Sequence, residues 1–331
     1  MNQDLLIRLF RSIEGDKDDP VVKVASLIVE DEAKKGHLKL AEKLKGILDR
    51  NLISSKQFNG ELRKLLPTGV TIPTDKRNNF PLATSIPRDE LRHEMVLTEE
   101  IERKIQRIEK EYAAKERLAL HGLKYRQKIL FYGSPGCGKS MSAERIAWNL
   151  GLPFLKVRFD VIISSFLGET ATNLSRLFES LKNYPCILLL DEFDIVGKTR
   201  TNSQDIGEMH RIVNILLMLL EEYNSEGILI ATTNLEHSLD EALFRRFDDL
   251  IEMSKPSQGE IIRLMKLTLS SIEKSKNIDW TGLAERMTGI SAALVVKIVN
   301  DAAKNTVIAN ESVLKQEFLE KSLLDNMQYL K

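Results

Sequence analysis

The sequence predicts an α/β fold: a parallel sheet with helices on both faces, followed by a helical segment and preceded by a helical bundle. Three observations carry this. Short apolar runs at 129–132, 154–159, 187–190, 228–231 and 250–253 alternate with helical spacing. Near-continuous apolar runs mark strands buried on both faces, as parallel strands are. The first run leads directly into a glycine-rich turn and then a helical pattern, and after Pro256 the spacing is helical to the end.

Residues 1–66 read as helices. Leu5, Leu6, Leu9 and Ile13 recur at helical spacing until Glu14, Gly15 and Asp16. A second helix is expected over Val21–Lys35, and a third over Leu38–Leu52 with Leu40, Leu44, Ile47 and Leu48 on one face. Such a bundle suits substrate or partner docking, and a structural cap is the alternative. Pro67, Pro73, Pro81 and Pro87 make 67–88 an extended linker. A charged helix over Thr98–Leu120 follows, with Ile101, Ile105, Ile108 and Tyr112 as the stripe that packs on the core. That stripe covers too few heptads for a free coiled coil. The α/β unit is then 89–256 and the helical segment 257–331, with helices at about 258–274, 280–287, 292–308 and 315–324.

The 331 residues carry 48 basic and 48 acidic side chains, so no bulk charge draws the chain to nucleic acid or an anionic membrane. Cys137 and Cys186 lie in neither a metal-ligand spacing nor a disulfide framework. Met1–Phe10 does not read as a signal peptide, and the run Ile212–Leu220 is short and interrupted by Asn214, so no membrane span is expected. A reducing cytoplasm is the expected location. The five histidines are scattered and suit packing or surface roles.

Gly133-Ser134-Pro135-Gly136-Cys137-Gly138-Lys139-Ser140 fits G-x-x-x-x-G-K-[ST], between a strand and the helix that begins at Met141. Glycines let backbone N–H groups turn inward around phosphate oxygens, and the helix N-terminus adds a favourable dipole. Residues 133–141 are therefore the expected ATP-binding segment, with Lys139 reaching the β- and γ-phosphates and Ser140 coordinating Mg²⁺. The run at 187–190 ends in Asp191 and Glu192. Asp191 can hold Mg²⁺, directly or through water, and Glu192 can orient and deprotonate an attacking water. Asn234 ends the next strand, where its amide can hold that water. Arg245 and Arg246 precede the last strand; taken alone they read as a solvated basic turn, and the alternative is that they stabilise charge on a transferred phosphoryl group.

Taken in series, GSPGCGKS at 133–140, LLLDEFD at 188–194, ATTN at 231–234 and ALFRRFD at 242–248 resemble the AAA+ ATPases, in the AAA clade in the narrow sense. The stretch 165–170 resembles that family's first pore loop, and 208–214 the start of its second region of homology. The resemblance implies that Lys139 and Ser140 are Walker A, Asp191 and Glu192 Walker B, and Asn234 sensor 1. It makes Arg245 and Arg246 arginine fingers acting on a neighbouring subunit's ATP, and Phe166, beside Leu167, the residue that grips polypeptide in a central channel. It also implies a homo-oligomer, a ring of six, with the C-terminal helices as a lid over the nucleotide. The usual Pro-Gly between the two arginines is missing here, a compact form similar to katanin-like and spastin-like members. The lid stretch 288–293 has no arginine at the sensor 2 place, as is usual in that clade. The chain contains no H-E-x-x-H zinc-protease signature. The resemblance points to a protein-remodelling ATPase with a protein substrate, working beside a separate protease, subtilisin-like by analogy. A nucleic-acid-linked helper or loader is the alternative, and it wants a basic face that the sequence does not offer.

Overall fold

Strand β2 (Lys128–Tyr132) is the fifth strand of a six-stranded sheet of order β1-β3-β4-β5-β2-β6, one place in from the edge. Its companions are β1 (Ala83–Ile86), β3 (Phe154–Val157), β4 (Ile187–Leu190), β5 (Ile228–Thr233) and β6 (Asp249–Glu252). The five strands from β2 to β6 pair in parallel, and β1 pairs antiparallel to β3. The computed structural model describes residues 72–75, 79–164, 169–193, 206–234 and 244–327, with backbone alone for 164 and 206–213. Within 1–69 it describes Ala25, Val29, Ala41, Leu44 and Lys45, all helical, with Ala25, Ala41 and Leu44 buried. The rest of the expected N-terminal bundle lies outside the described residues. The chain divides into two units, Met1–Gly69 and Val70–Lys331.

Both faces of the sheet are covered, which is why the central strands β4 and β5 are buried along their whole length. On one face Leu130, Leu155, Leu188, Leu190 and Leu229 pack with α5 (Thr170–Ser180) and α6 (Ile206–Glu222). On the other, Ile129, Phe131, Phe154, Leu189 and Ile230 pack with α1 (Glu99–Ala113) and α3 (Lys139–Leu150). Ile101, Ile105, Ile108 and Tyr112 form the buried stripe of α1, as their spacing predicts, and Thr98 caps it by accepting from the Ile101 N–H at 3.2 Å. The helix expected to run to Leu120 breaks at Ala114, where ψ opens to 12°, and continues as α2 (Lys115–Leu120). A further short helix, α4 (Phe159–Ser164), follows β3.

The segment read as a linker, 67–88, is in part an element of the sheet. Ala83–Ile86 is the edge strand β1, with Leu82 and Ala83 buried against the core. An edge strand is bonded on one side only, so Pro81 and Pro87 can flank it without breaking a ladder. Beyond the sheet, α7 (Gln258–Thr268), α8 (Trp280–Arg286), α9 (Ala292–Ile308) and α10 (Gln316–Met327) enclose a separate core around Ile261, Met265, Val295, Ile298 and Leu319. Ser257 and Glu260 form a capping box at α7, and Ser291 caps α9.

Candidate active site

The loop between β2 and α3 is shaped by glycines in the left-handed region. Gly133 has φ 124°, Gly136 75° and Gly138 93°. A Cβ on Gly133 would lie 2.6 Å from the Met253 carbonyl oxygen at the end of β6, so the close approach admits no side chain. Gly136 is hemmed in from the helical segment instead: its carbonyl accepts from the Ala293 N–H at 2.9 Å, and a Cβ there would meet Ser291 Oγ at 2.9 Å. The start of α9 thus rests on the loop. Lys139 is buried, and its ammonium donates to the carbonyls of Gly133 and Ser134 at 2.7 and 2.8 Å. Cys137 turns its side chain into the sheet core.

Asp191 is the hub of the site. The strand order places β5 between β4 and β2, so Thr232 lies between the Asp191 strand end and the glycine loop. The hydroxyls of Ser140 and Thr232 each donate to Asp191 Oδ1 at 2.6 Å, and the Lys156 ammonium donates to Oδ2 at 2.6 Å. Burial pushes the Asp191 carboxyl up, but the bonds from Lys156, Ser140 and Thr232 outweigh it and hold the group below the ordinary carboxylate range. Asp191 is therefore a carboxylate at neutral pH. Thr232 Oγ1 also accepts from the Glu192 N–H at 3.1 Å, so one hydroxyl fixes both acids. Glu192 is exposed and has φ 52°, a left-handed conformation that a non-glycine residue adopts at some cost. Phe193, buried beside it, donates its N–H to the Thr232 carbonyl at 2.8 Å and locks that turn.

These groups face a cavity of about 700 Å³, within the range of small-molecule sites. Residues 135–141, Asp191, Glu192, Thr232 and Asn234 form its floor, while Leu264 and Thr268 of α7 and Ala292, Ala293 and Val296 of α9 form the far side. A further wall, made by Arg92, Glu94, Met95 and Val96, is not evident from the sequence. It is fixed to α3: Glu144 accepts from the Arg92 backbone N–H and Nε, both at 2.9 Å, and pairs with its guanidinium. His93 stacks on Trp148 with ring centres 4.0 Å apart, and Arg88 sits over the same indole at 4.8 Å. The signal that could have found this wall is Glu144, an acid on the buried face of α3 that requires a cationic partner.

Arg245 and Arg246 do not line the cavity. Arg245 is exposed, and Arg246 is half-buried and bonded to Glu221 of α6 at 2.7 Å. Phe166 and Leu167 lie outside the described residues. Among the described residues no cluster of His, Cys, Asp and Glu forms a metal site of three or more ligands, and no helix is long and apolar enough to cross a membrane. The Ser140 hydroxyl and Asp191 carboxylate are hard oxygen donors, which fits a magnesium ion that keeps waters and substrate phosphates as its other ligands.

A parallel sheet with a glycine loop, a buried lysine and two strand-end carboxylates around one cavity defines a nucleoside-triphosphate-binding enzyme. Residues 129–255 match the family model for the ATPase family associated with various cellular activities (AAA). The AAA family ATPase y4kL of Sinorhizobium fredii is 33% identical over 327 residues, 97% of this chain and 94% of that protein. The ATP-dependent zinc metalloprotease FtsH of Rhodococcus erythropolis is 33% identical over 209 residues, 61% of this chain and 24% of that protein. FtsH 4 of Synechocystis is 30% identical over 197 residues, 57% of this chain and 31% of that protein. The chain belongs to the AAA family, binds nucleotide and hydrolyses ATP. It spans only about a quarter to a third of the metalloproteases that it matches.

Proposed function

We propose that this ATPase drives protein remodelling as a ring of subunits, and that the Asp191 hub is its hydrolytic centre. The observation that carries the reading is the convergence of Ser140 and Thr232 on Asp191 beside the glycine loop, with the Glu192 N–H tied to the same Thr232 hydroxyl. Backbone N–H groups of 133–141 cradle the phosphates, and Lys139 supplies a fixed positive charge towards the β- and γ-phosphates. Ser140 and Asp191 hold magnesium, which when bound neutralises phosphate charge. Glu192 takes a proton from the attacking water, and Asn234 orients that water. Thr232 keeps the two acids in register. Lys139, Ser140, Thr232 and Asp191 are already tied into the loop and to one another, so this part of the site is preorganised.

Arg245 and Arg246 sit away from their own subunit's cavity, which supports action on a neighbour's nucleotide. The compact arginine pair is similar to the katanin-like and spastin-like arrangement. Phe166 and Leu167 are the proposed grip on an extended polypeptide, since apolar contact needs no particular partner sequence. The FtsH relatives are named as proteases. This chain carries no H-E-x-x-H, so cleavage by a separate protease fits it better than cleavage by its own residues. With Mg-ATP, the Glu192→Gln variant is expected to assemble into six-subunit rings, read by mass photometry. A strict monomer at micromolar concentration would remove the basis for arginines acting in trans.

A further inference from the structure

Lys156 is the one charged side chain in β3, a strand otherwise built of Phe154, Leu155 and Val157. Alternation places it on the same face as Phe154, the face covered by α3, where a lysine requires a partner. That partner is Asp191, reached from the neighbouring strand, where Lys156 is in register with Leu189. The Asp191 side chain is 14% exposed and that of Lys156 44%. The carboxylate is thus fixed inside the fold, while the lysine is partly exposed on a flexible stem. The two carboxylate oxygens are also divided in use: Oδ1 takes both hydroxyls and Oδ2 takes the ammonium.

We propose that Lys156 is a positioning residue for the hydrolysis reaction, a built-in counter-ion that orients Asp191 and competes with the divalent cation for its carboxylate. The inference rests on the reading of Asp191 as a metal-holding group. An ammonium and a divalent cation on one carboxylate repel each other strongly in a partly buried site. The lysine is the ion that can leave, because its exposed stem lets the ammonium regain water at little cost. Between turnovers its return keeps Asp191 pointed at Ser140. Lys156 thereby sets the magnesium concentration at which the site loads, without touching the reacting phosphate.

The test is the Mg²⁺ dependence of two readouts on the full chain: ATP turnover, and equilibrium binding of a fluorescent ATP analogue. Lys156→Met keeps the stem and removes the charge, and should move both half-points to lower Mg²⁺ by about tenfold. Lys156→Gln, which keeps a hydrogen-bond donor without charge, should shift them in the same direction and serves if the methionine variant folds poorly. Lys156→Arg should remain near wild type. Half-points that stay within about twofold of wild type in the neutral variants, or move to higher Mg²⁺, would overturn the proposal while leaving Asp191 as metal holder. Magnesium-independent binding and turnover in the wild type would overturn both.

Discussion

Lys139→Ala is expected to abolish ATP binding, while Glu192→Gln retains binding and loses turnover. Lys139 is buried within the loop, with its ammonium seated between the carbonyls of Gly133 and Ser134, so its loss removes the only formal charge inside the 133–140 loop. Glu192 lines the cavity, and Thr232 holds it through its backbone N–H rather than its side chain. Glutamine at this position has the same shape and meets the same backbone demand at φ 52°. The fold and the phosphate cradle should therefore survive, and only proton abstraction is lost, which lowers the rate by about 10²–10⁴-fold. Titration with a fluorescent ATP analogue beside a phosphate-release assay separates the two effects. Normal hydrolysis by the glutamine variant would refute the role given to Glu192.

The second large effect concerns where the ATPase unit begins. A chain shortened to start at Val70 should hydrolyse ATP at a rate near that of the full chain. One that starts at Arg88 lacks β1 and should be strongly destabilised. Leu82, fully buried, is lost with the strand, and burial of a leucine is worth roughly 1.5–3 kcal/mol. The free edge of β3 is also uncovered, with Leu155 and Val157 beneath it, which invites aggregation. For a unit of this size the leucine alone corresponds to a melting-point drop of about 3–12 °C. Thermal melts of the two shortened chains decide the matter. Equal melting temperatures would show that β1 contributes nothing to the sheet, and loss of activity in the longer one would make the first 69 residues part of the ATPase unit.

The parallel strands and the helices after Pro256 were legible because each is written in its own local apolar pattern. Helix α9 falls on the residues its spacing predicts, Ala292–Ile308. Strand β1 was not legible. Ala-Thr-Ser-Ile is short and ordinary in composition, its prolines argue for extended chain of any kind, and only pairing with β3 makes it a strand. The glycine loop and the two acids stood out because their chemistry is confined to short motifs. The partners that hold them did not. Arg92 and Glu144 are 52 residues apart and Lys156 and Asp191 are 35 apart, so no local pattern couples them. In each case a trace remained, a charged residue on a face that periodicity assigns to the core.

The claim that ATP turnover does work on polypeptide is tested most directly by capture on the stalled ring. The full chain with Glu192→Gln, held in Mg-ATP, is isolated under gentle cross-linking, and its bound material is analysed by mass spectrometry and for nucleic acid. Polypeptide should be retained in ATP and released in ADP, with retention lost when Phe166→Ala is added and the ring itself unchanged. Nucleic acid retained in ATP without polypeptide, or polypeptide retention indifferent to both nucleotide and Phe166, would contradict that claim.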